Sequence, residues 1–337
     1  MKVSELGEFG LIDLLAEMVS GLQNQQLKPW RQLILGIGDD AAAWNGDASI
    51  QLAAIDSLVQ DVHFSSDTTP WRELGWKALA VNLSDIAAMG GVPRYALAAL
   101  ALPASTEVDD VVDLYKGMIE LAKRFEVAIV GGDTSRSPVA SITIAVLGST
   151  MNLDKQILTR SAANPGDQIA VTGYLGSAIA GLKMLIGHLE FSRETAAYLR
   201  ESFLRPLPRV NEGQTLIKQG VKTAIDISDG LVADLTHICK ASQVGAWVDI
   251  ERLPIHPAVR DNFGDKSLEL ALSGGEDYEL LFTARPEVIA GVKGVTSCPV
   301  TVIGEITGIG VGEVDLVDIN GISFGLPDTG WEHFKER

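Results

Sequence analysis

Apolar runs that alternate with amphipathic stretches predict an α/β protein. Short runs rich in Ile, Leu and Ala read as strands, because they are bounded by glycine, proline or polar residues. In the first half of the chain the predicted strands are 33–37, 50–55, 95–102, 127–131 and 140–149. The predicted helices of this half are 5–20, 71–89 and 107–125.

Two of these helices bear on function. The helix at 71–89 is apolar almost all round and is expected to be buried. Its apolar stripe runs on to Asp85, so this carboxylate is predicted to point inward and to need a cation or hydrogen-bond donors. The helix at 107–125 has one apolar face that includes Tyr115, which suits either a core position or stacking on a base.

A second α/β unit is predicted from about residue 151. A Pro-Gly turn at 165–166 leads into a strand. Further strands are expected at 223–228, 246–250, 268–272, 279–283 and 300–306, and helices at 175–187, 193–202, 208–219 and 230–241. The prediction is two domains, 1–150 and 151–337.

Charge and cysteine content narrow the class of protein. The 337 residues carry a formal net charge of −17, which argues against nucleic acid or an anionic membrane as partner. There are two cysteines without metal-site spacing, and no stretch resembles a signal peptide or a membrane span. We therefore expect a soluble cytoplasmic protein.

The main chemical signal is a set of aspartates at positions where apolar runs break. Carboxylates at strand ends are expected to converge, and they repel one another unless cations lie between them. Oxygen ligands favour Mg²⁺, and clustered Mg²⁺ usually serves phosphate chemistry. The set comprises Asp39, Asp40, Asp56, Asp85, Asp133, Asp226 and Asp229.

Each motif also has a purely structural interpretation. GIGDD (36–40) could be a β-turn with solvated acids. In IDISDG (225–230), Ser228 or Asp229 could cap a helix, and the same helix N-terminus could also bind phosphate. SGGEDYEL (273–280) could bind a cation through Glu276 and Asp277 or could form a hairpin turn.

The remaining candidates are weaker. GYLGSA (173–178) suits a strand–helix turn better than a phosphate loop. Arg160 could bind a phosphate or form a surface salt bridge, and His63 could be structural. The P-loop and protein-kinase signatures are missing, so metals would have to carry any nucleotide phosphates.

Taken together, the motifs closely resemble the thiamine-monophosphate kinase family. The motifs are GIGDDAA, KALAVNLSDIAAMGG, GGDTSR, LTRSAANPGD, IDISDGL and ALSGGEDYEL, in that order along the chain. The family belongs with aminoimidazole ribonucleotide synthetase and selenophosphate synthetase. The resemblance implies a two-domain fold, homodimers paired through their N-terminal sheets, and direct transfer of the ATP γ-phosphoryl group to thiamine monophosphate.

The resemblance also assigns roles to residues of this chain. It implies Mg²⁺ ligands at Asp40, Asp56, Asp85, Asp133, Asp226 and Asp229. It implies ATP contacts at Tyr115, Gly132, Asp133, Arg160 and Ser228, and contacts to thiamine monophosphate at His63, Glu276 and Trp331. One departure is Ala54-Ile55 before Asp56, where the family usually carries hydroxyl residues.

Two alternatives stay open at this point. Another ATP-dependent synthetase of the same superfamily would keep the ATP site and change the acceptor, although selenophosphate synthetase usually has a reactive N-terminal cysteine, and the first one here is Cys239. A non-catalytic nucleotide or Mg²⁺ sensor would bind without turnover.

Overall fold

The computed structural model describes residues 49–150 and 156–318, together with 14–15, 17–19, 32–35, 43–44 and 325. The predicted helix at 5–20 lies mostly outside the described residues. Its described positions are helical, and Leu15 and Val19 are buried. The GIGDD motif and the tail that carries Trp331 also lie outside the described residues.

In the first half, a four-stranded sheet has the order β3-β6-β4-β5, in which only β4 and β5 are parallel. Strands β1 and β2 form a separate antiparallel pair. The elements are β1 Leu33–Leu35, β2 Ala43–Trp44, β3 Gln51–Val59, α1 Trp71–Ala88, β4 Val92–Leu102, α2 Val108–Arg124, β5 Ala128–Arg136 and β6 Ser141–Ser149.

The two faces of the four-stranded sheet differ in burial. On β6, the side chains of Ile142, Ile144 and Val146 are fully buried, whereas the alternating Thr143 and Ala145 are only partly buried. On β3, Ile55 is 66% exposed. Because side chains alternate across a strand, one face of the sheet is covered and the other is open.

The second half is built on a six-stranded sheet of order β12-β9-β11-β7-β10-β8, with only the outer pair β12 and β9 parallel. Its elements are β7 Gln168–Thr172, α3 Ser177–Gly187, α4 Arg193–Leu204, α5 Val210–Lys218, β8 Thr223–Asp226, α6 Leu231–Ser242, β9 Gly245–Asp249, a 3₁₀ turn Ile250–Arg252, α7 Pro257–Phe263, α8 Lys266–Ser273, β10 Leu280–Ala284, α9 Pro286–Val295, β11 Val300–Thr307 and β12 Val314–Val317. Two apolar clusters of the core pack against this sheet.

The predicted α/β class is confirmed, with three corrections to individual elements. The strand predicted at 268–272 is wrong, because those residues belong to helix α8. Strand β3 continues through Asp56, and β5 continues through Asp133. The sequence placed Asp133 after the end of a strand at 127–131, whereas it lies within β5.

The described residues form two compact units. The described residues of Met1–Ile86 and Val92–Lys155 form one, and those of Ala87–Gly91 and Gln156–Arg337 form the other. No helix within these described ranges has the length and apolar character needed to cross a membrane.

Candidate functional site

In the first unit, Asp56 and Asp133 lie on different strands of the open-faced sheet. Asp56 is in register with Ile144 of β6, whereas Asp133 is in register with Ala99 of β4 in the adjacent row. The two strands are three strand spacings apart, roughly 14 Å. Paired residues share a face, so the carboxylates point to opposite faces, and the structure does not bring these two candidates together.

Both carboxylates are exposed. Among the described residues, neither Asp56 nor Asp133 has a hydrogen-bond or ion-pair partner. A carboxylate without an internal partner is available to a ligand, and this is the condition that a metal ligand must meet. Their assignment as Mg²⁺ ligands stays a prediction.

Gly132 has a structural reason to be glycine. A Cβ atom at this position would lie 1.9 Å from the carbonyl oxygen of Ala98, because β5 runs very close to β4 there. The close approach of the two strands therefore excludes any side chain. This reason is independent of a nucleotide contact, which stays a prediction.

The two helical candidates differ in burial. Asp85 on α1 is partly buried, with Ser84 and Ile86 beside it buried, and its inward orientation and its role as a Mg²⁺ ligand stay predictions. Tyr115 on α2 is 4% exposed, and burial raises the pKa of its hydroxyl. Its position agrees with the core interpretation of the apolar face.

His63 closes the turn that follows β3. Its Nδ1 atom accepts a hydrogen bond of 3.1 Å from the backbone N–H of Val59, and the backbone N–H of His63 donates to the Val59 carbonyl at 2.9 Å. Nδ1 must therefore be unprotonated in this geometry. This is the structural role that the sequence left open, and a contact of His63 with thiamine monophosphate stays a prediction.

In the second unit, the IDISDG motif forms the connection from β8 to α6. Asp226 is the last residue of β8 and is buried, whereas Ser228 and Asp229 are partly exposed in the following turn. Gly230 is the N-cap residue of α6, and no side chain caps this helix. The prediction that Ser228 or Asp229 caps the helix is therefore wrong.

The backbone of this turn is held by Asp234 instead. One oxygen of its carboxylate, Oδ2, accepts hydrogen bonds from the N–H groups of Ser228, Asp229 and Gly230 at 3.1, 3.2 and 3.1 Å. Burial, followed by repulsion from Asp226 and Asp229, raises the pKa of Asp234 to about 8. An internal carboxylate thus binds three successive amides of the turn that precedes the first helical residue, Leu231.

At the start of α3, a carboxylate of the chain binds the helix N-terminus itself. Asp277 accepts hydrogen bonds from the N–H groups of Gly176 at 2.6 Å and Ala178 at 3.1 Å, at the start of α3. Burial raises the pKa of Asp277 to about 7. GYLGSA is therefore a structural turn whose amides bind a carboxylate of the chain itself.

The hairpin predicted around Glu276 and Asp277 is also wrong, because this segment joins α8 to β10. Glu276 and Tyr278 have left-handed backbone conformations, with φ of 67° and 50°. The Glu276 N–H donates to the Ser228 carbonyl at 2.8 Å. Glu276, a candidate contact of thiamine monophosphate, is thus hydrogen-bonded through its backbone to Ser228, a candidate contact of ATP.

A buried ion pair lies beside this segment. Arg209 donates to both carboxylate oxygens of Glu279, at 2.6 and 2.5 Å, and Thr172 Oγ1 donates to Glu279 Oε2 at 2.6 Å. A Cβ atom at Gly173 would lie 1.9 Å from Glu279 Oε1, so glycine is required there. Arg209 and Glu279 line a cavity of about 240 Å³ together with Tyr174, Ser177, Tyr198, Glu201, Ser202, Arg205, Pro206, Leu207 and Asp277.

Arg160 lies near the beginning of β8, whereas Ser228 follows its end. The preceding Thr159 bridges to Thr223, and the Arg160 carbonyl accepts a hydrogen bond of 2.8 Å from Ser242 Oγ. The side chain of Arg160 is exposed and forms no ion pair within the part of the chain that the structure describes. Its guanidinium group is therefore available to an anion.

Two matters are limited to the residues that the structure describes, namely the remaining candidates and whether the acids form a metal site. Asp39, Asp40 and Trp331 lie outside the described ranges. Within them, no group of three or more His, Cys, Asp or Glu side chains is arranged to hold a metal ion. Asp226 and Asp229 lie on one connection of the second unit, and Asp56, Asp85 and Asp133 belong to the first.

Sequence reasoning missed Asp234 and the role of Asp277. Asp234 stands in the first turn of α6, where an acid is favoured by the free N–H groups, and this position could have identified it. Asp277 bonds to amides 101 and 99 positions away in the chain, so no local pattern could have indicated its partners.

Comparison with known proteins identifies the family. Residues 38–150 match the AIR synthase related protein, N-terminal domain, and residues 164–317 match the corresponding C-terminal domain. A thiamine-monophosphate kinase of Salmonella typhimurium is 40% identical over 97% of this chain and 98% of that relative.

Two solved structures are similar to the whole fold. The thiamine-monophosphate kinase from Stenotrophomonas maltophilia has a TM-score of 0.80 at 36% identity, covering 89% of this chain and 95% of that one. AaThiL complexed with AMPPCP and TMP has a TM-score of 0.76 at 32% identity, covering 99% of each chain. With both domains matched in order and a curated relative aligned end to end, the chain belongs to the thiamine-monophosphate kinase family.

Proposed function

We propose that this protein transfers the γ-phosphoryl group of ATP to thiamine monophosphate and so forms thiamine diphosphate. The observation that carries the proposal is the end-to-end match, at 40% identity, to a curated thiamine-monophosphate kinase. The similar AaThiL chain has been crystallised with AMPPCP and TMP, an ATP analogue and the acceptor. Both substrates of the proposed reaction are therefore known ligands of a relative that covers almost the whole chain.

The donor chemistry of the candidate residues fits Mg²⁺. All proposed metal ligands are carboxylates, and Asp56 and Asp133 are exposed without internal partners among the described residues. Mg²⁺ is usually bound by one or two protein carboxylates, while waters and substrate phosphates complete its coordination. This mode does not need three protein ligands at one point, so it is compatible with the arrangement of the described acids.

The ions would be held by Asp56, Asp85 and Asp133 of the first unit and Asp226 and Asp229 of the second, with Asp40 proposed from the sequence. When bound, Mg²⁺ would neutralise the phosphate oxygens of ATP and lower the repulsion that an incoming monophosphate meets. The chain itself supplies carboxylates and the guanidinium of Arg160, which has no ion-pair partner among the described residues and can bind phosphate oxygens as a charged donor.

The acceptor requires no general base from the protein. A phosphate monoester has a second pKa of about 6, so its attacking oxygen is largely deprotonated at neutral pH. Glu276 and, from the sequence, His63 and Trp331 are proposed to orient thiamine monophosphate. Trp331 would offer an aromatic face to the cationic thiazolium ring. Orientation of the two substrates is then the main task of these side chains.

A turnover assay tests the proposal directly. The protein is incubated with ATP and Mg²⁺, with thiamine monophosphate or with unphosphorylated thiamine, and both ADP and thiamine diphosphate are quantified. We expect ADP and thiamine diphosphate in equal amounts, only with the monophosphate, and no product after chelation of the metal.

The alternatives give different results in the same assay. Binding of AMPPCP without any turnover would identify a nucleotide or Mg²⁺ sensor. ATP consumption that is indifferent to thiamine monophosphate would indicate another synthetase of the superfamily. Either result would overturn the proposed reaction.

We also propose that the protein is a homodimer joined through the open face of its first sheet. Ile55 on this face is 66% exposed, and small or apolar side chains at positions 97, 99, 145 and 147 are only partly buried. An open apolar sheet face usually marks an interaction surface. A second copy of the same face would cover it.

The dimer proposal predicts that Ile55→Arg yields a monomer in sedimentation equilibrium at micromolar concentration. Ile309→Arg is the matched control, because Ile309 is 81% exposed but belongs to the second unit. It should leave the mass unchanged. A monomeric parent protein, or loss of the dimer in the control variant alone, would contradict the proposed interface.

The cysteines support a cytoplasmic location. Cys239 and Cys298 are both buried and free, and burial raises the pKa of each thiol to about 11. Thiols in this state suit a reducing compartment.

A further inference from the structure

The loop Ser228–Gly230 is held by a carboxylate that no proposed role has used. Asp234 is 2% exposed, and its Oδ2 atom accepts hydrogen bonds from three successive backbone N–H groups. Three donors converging on one oxygen fix the orientation of the intervening peptide units. The side chains of Ser228 and Asp229 leave these peptides in defined directions as a consequence.

The same loop is held from its other side by the Glu276 segment. The Ser228 carbonyl accepts from the Glu276 N–H at 2.8 Å. The Ile227 carbonyl accepts from the Tyr278 N–H at 2.9 Å, and the Ile227 N–H donates to the Glu279 carbonyl at 2.8 Å. These bonds connect the loop to the segment that carries the thiamine-phosphate candidate. A shift of the loop would therefore displace Glu276 as well.

We propose that Asp234 is a positioning residue, which holds the Ser228–Gly230 backbone in the conformation that directs Asp229 towards Mg²⁺ and Ser228 towards the nucleotide. This inference rests on the proposed kinase function and deepens it. Asp234 touches neither substrate nor metal in this role and acts only through the loop.

Two variants and one control test the proposal. Asp234→Ala removes the acceptor, Asp234→Asn keeps one oxygen that can accept, and Asp167→Ala removes another buried carboxylate that accepts from a backbone N–H, that of Asn164 at 2.9 Å. Hydrogen exchange of the amides of residues 228–230 reports on the loop. Titration of AMPPCP binding with Mg²⁺ reports on the ligand site without requiring turnover.

For Asp234→Ala we expect amide exchange at 228–230 to accelerate about tenfold or more. The Mg²⁺ concentration for half-maximal AMPPCP binding should rise about tenfold, and kcat should fall about tenfold. Asp234→Asn should keep most of the protection and stay within about threefold in both properties, because its geometry is preserved. Asp167→Ala should stay within about twofold in all three measurements.

In every folded variant the exchange rate of these amides must change together with the Mg²⁺ requirement and kcat. A variant in which the loop loosens while the Mg²⁺ requirement and kcat stay unchanged would overturn the proposal. So would an Asp234→Asn protein with a protected loop and the full loss seen for alanine, because the charge would then act without positioning. If Asp234→Ala does not fold, Asp234→Asn alone decides by the same rule.

Failure of the proposed function is distinguishable, since it would appear as a parent protein that binds AMPPCP with Mg²⁺ but does not phosphorylate thiamine monophosphate.

Discussion

Two pairs of aspartates, one in each unit, have opposite surroundings. In the first unit, Asp56 and Asp133 stand exposed on strands, without internal partners among the described residues. In the second, Asp234 and Asp277 accept hydrogen bonds from backbone N–H groups around the starts of α6 and α3. The difference separates acids that are available to ligands from acids that hold the fold.

The largest expected effect is on catalysis in the first unit. Asp133→Asn should lower kcat by about 10²–10³-fold, because a neutral amide binds Mg²⁺ poorly, while the melting temperature should stay within about 2 °C. Steady-state kinetics and calorimetry measure the two quantities. Asp109→Asn, an exposed acid on α2, is the control and should change neither. Near-normal turnover in Asp133→Asn would remove this residue from the metal site.

The largest stability effect should come from the buried ion pair of the second unit. Arg209→Met leaves the Glu279 carboxylate without its counter-charge, and the free energy of unfolding should fall by about 3 kcal/mol. Urea denaturation measures this change. Lys116→Met breaks the exposed pair with Asp113 in the first unit and should cost less than about 0.5 kcal/mol. Equal effects of the two variants would mean that burial does not distinguish the pairs.

Asp277 should make stability depend on pH. Its pKa is raised from 3.8 to about 7, so between about pH 4 and pH 7 the folded chain holds a proton that the unfolded chain has released. Stability relative to Asp277→Asn should therefore fall as the pH rises through this window and then stay constant. Unfolding of both proteins at several pH values, with chelator present, measures the difference. A difference that grows with pH would contradict the raised pKa.

The smallest expected effect is the loss of stability on changing Thr172, whose hydroxyl links the end of β7 to the start of β10. Its hydroxyl donates to Glu279 and accepts from the Leu280 N–H at 2.8 Å. Thr172→Val loses both bonds and should destabilise the fold by about 1–2 kcal/mol, whereas Thr172→Ser should recover most of this. Thermal denaturation distinguishes the variants. Equal stability of Val and Ser at this position would show that the hydroxyl contributes nothing.

Local patterns predicted those elements whose periodicity is strong. Helix α2 was predicted within one residue at each end, because its apolar face repeats regularly along 17 residues. The apolar run at 268–272 was misread, since five apolar or alternating residues fit a strand and a buried helix equally well.

The site could be predicted only in part, for a related reason. The positions of Asp226 and Asp229 at a strand–helix connection followed from the break of an apolar run. Asp133 was misplaced because β5 continues beyond its glycines by pairing with β4, and such pairing overrides the local break signal. The bonds of Asp277 to the start of α3 join residues about 100 positions apart and leave no trace in the local sequence.

The left-handed backbones of Glu276 and Tyr278 have a consequence for engineering the protein. A non-glycine residue in this conformation costs about 1 kcal/mol or more, which glycine would recover. Glycine at 278 would nevertheless leave a cavity, because the Tyr278 side chain is buried, and the lost packing would exceed the recovered strain. Only Glu276, which is partly buried, offers a gain to a search for thermostable variants. If Glu276 binds the thiamine phosphate, the strain at 276 is stability that the enzyme gives up in order to work.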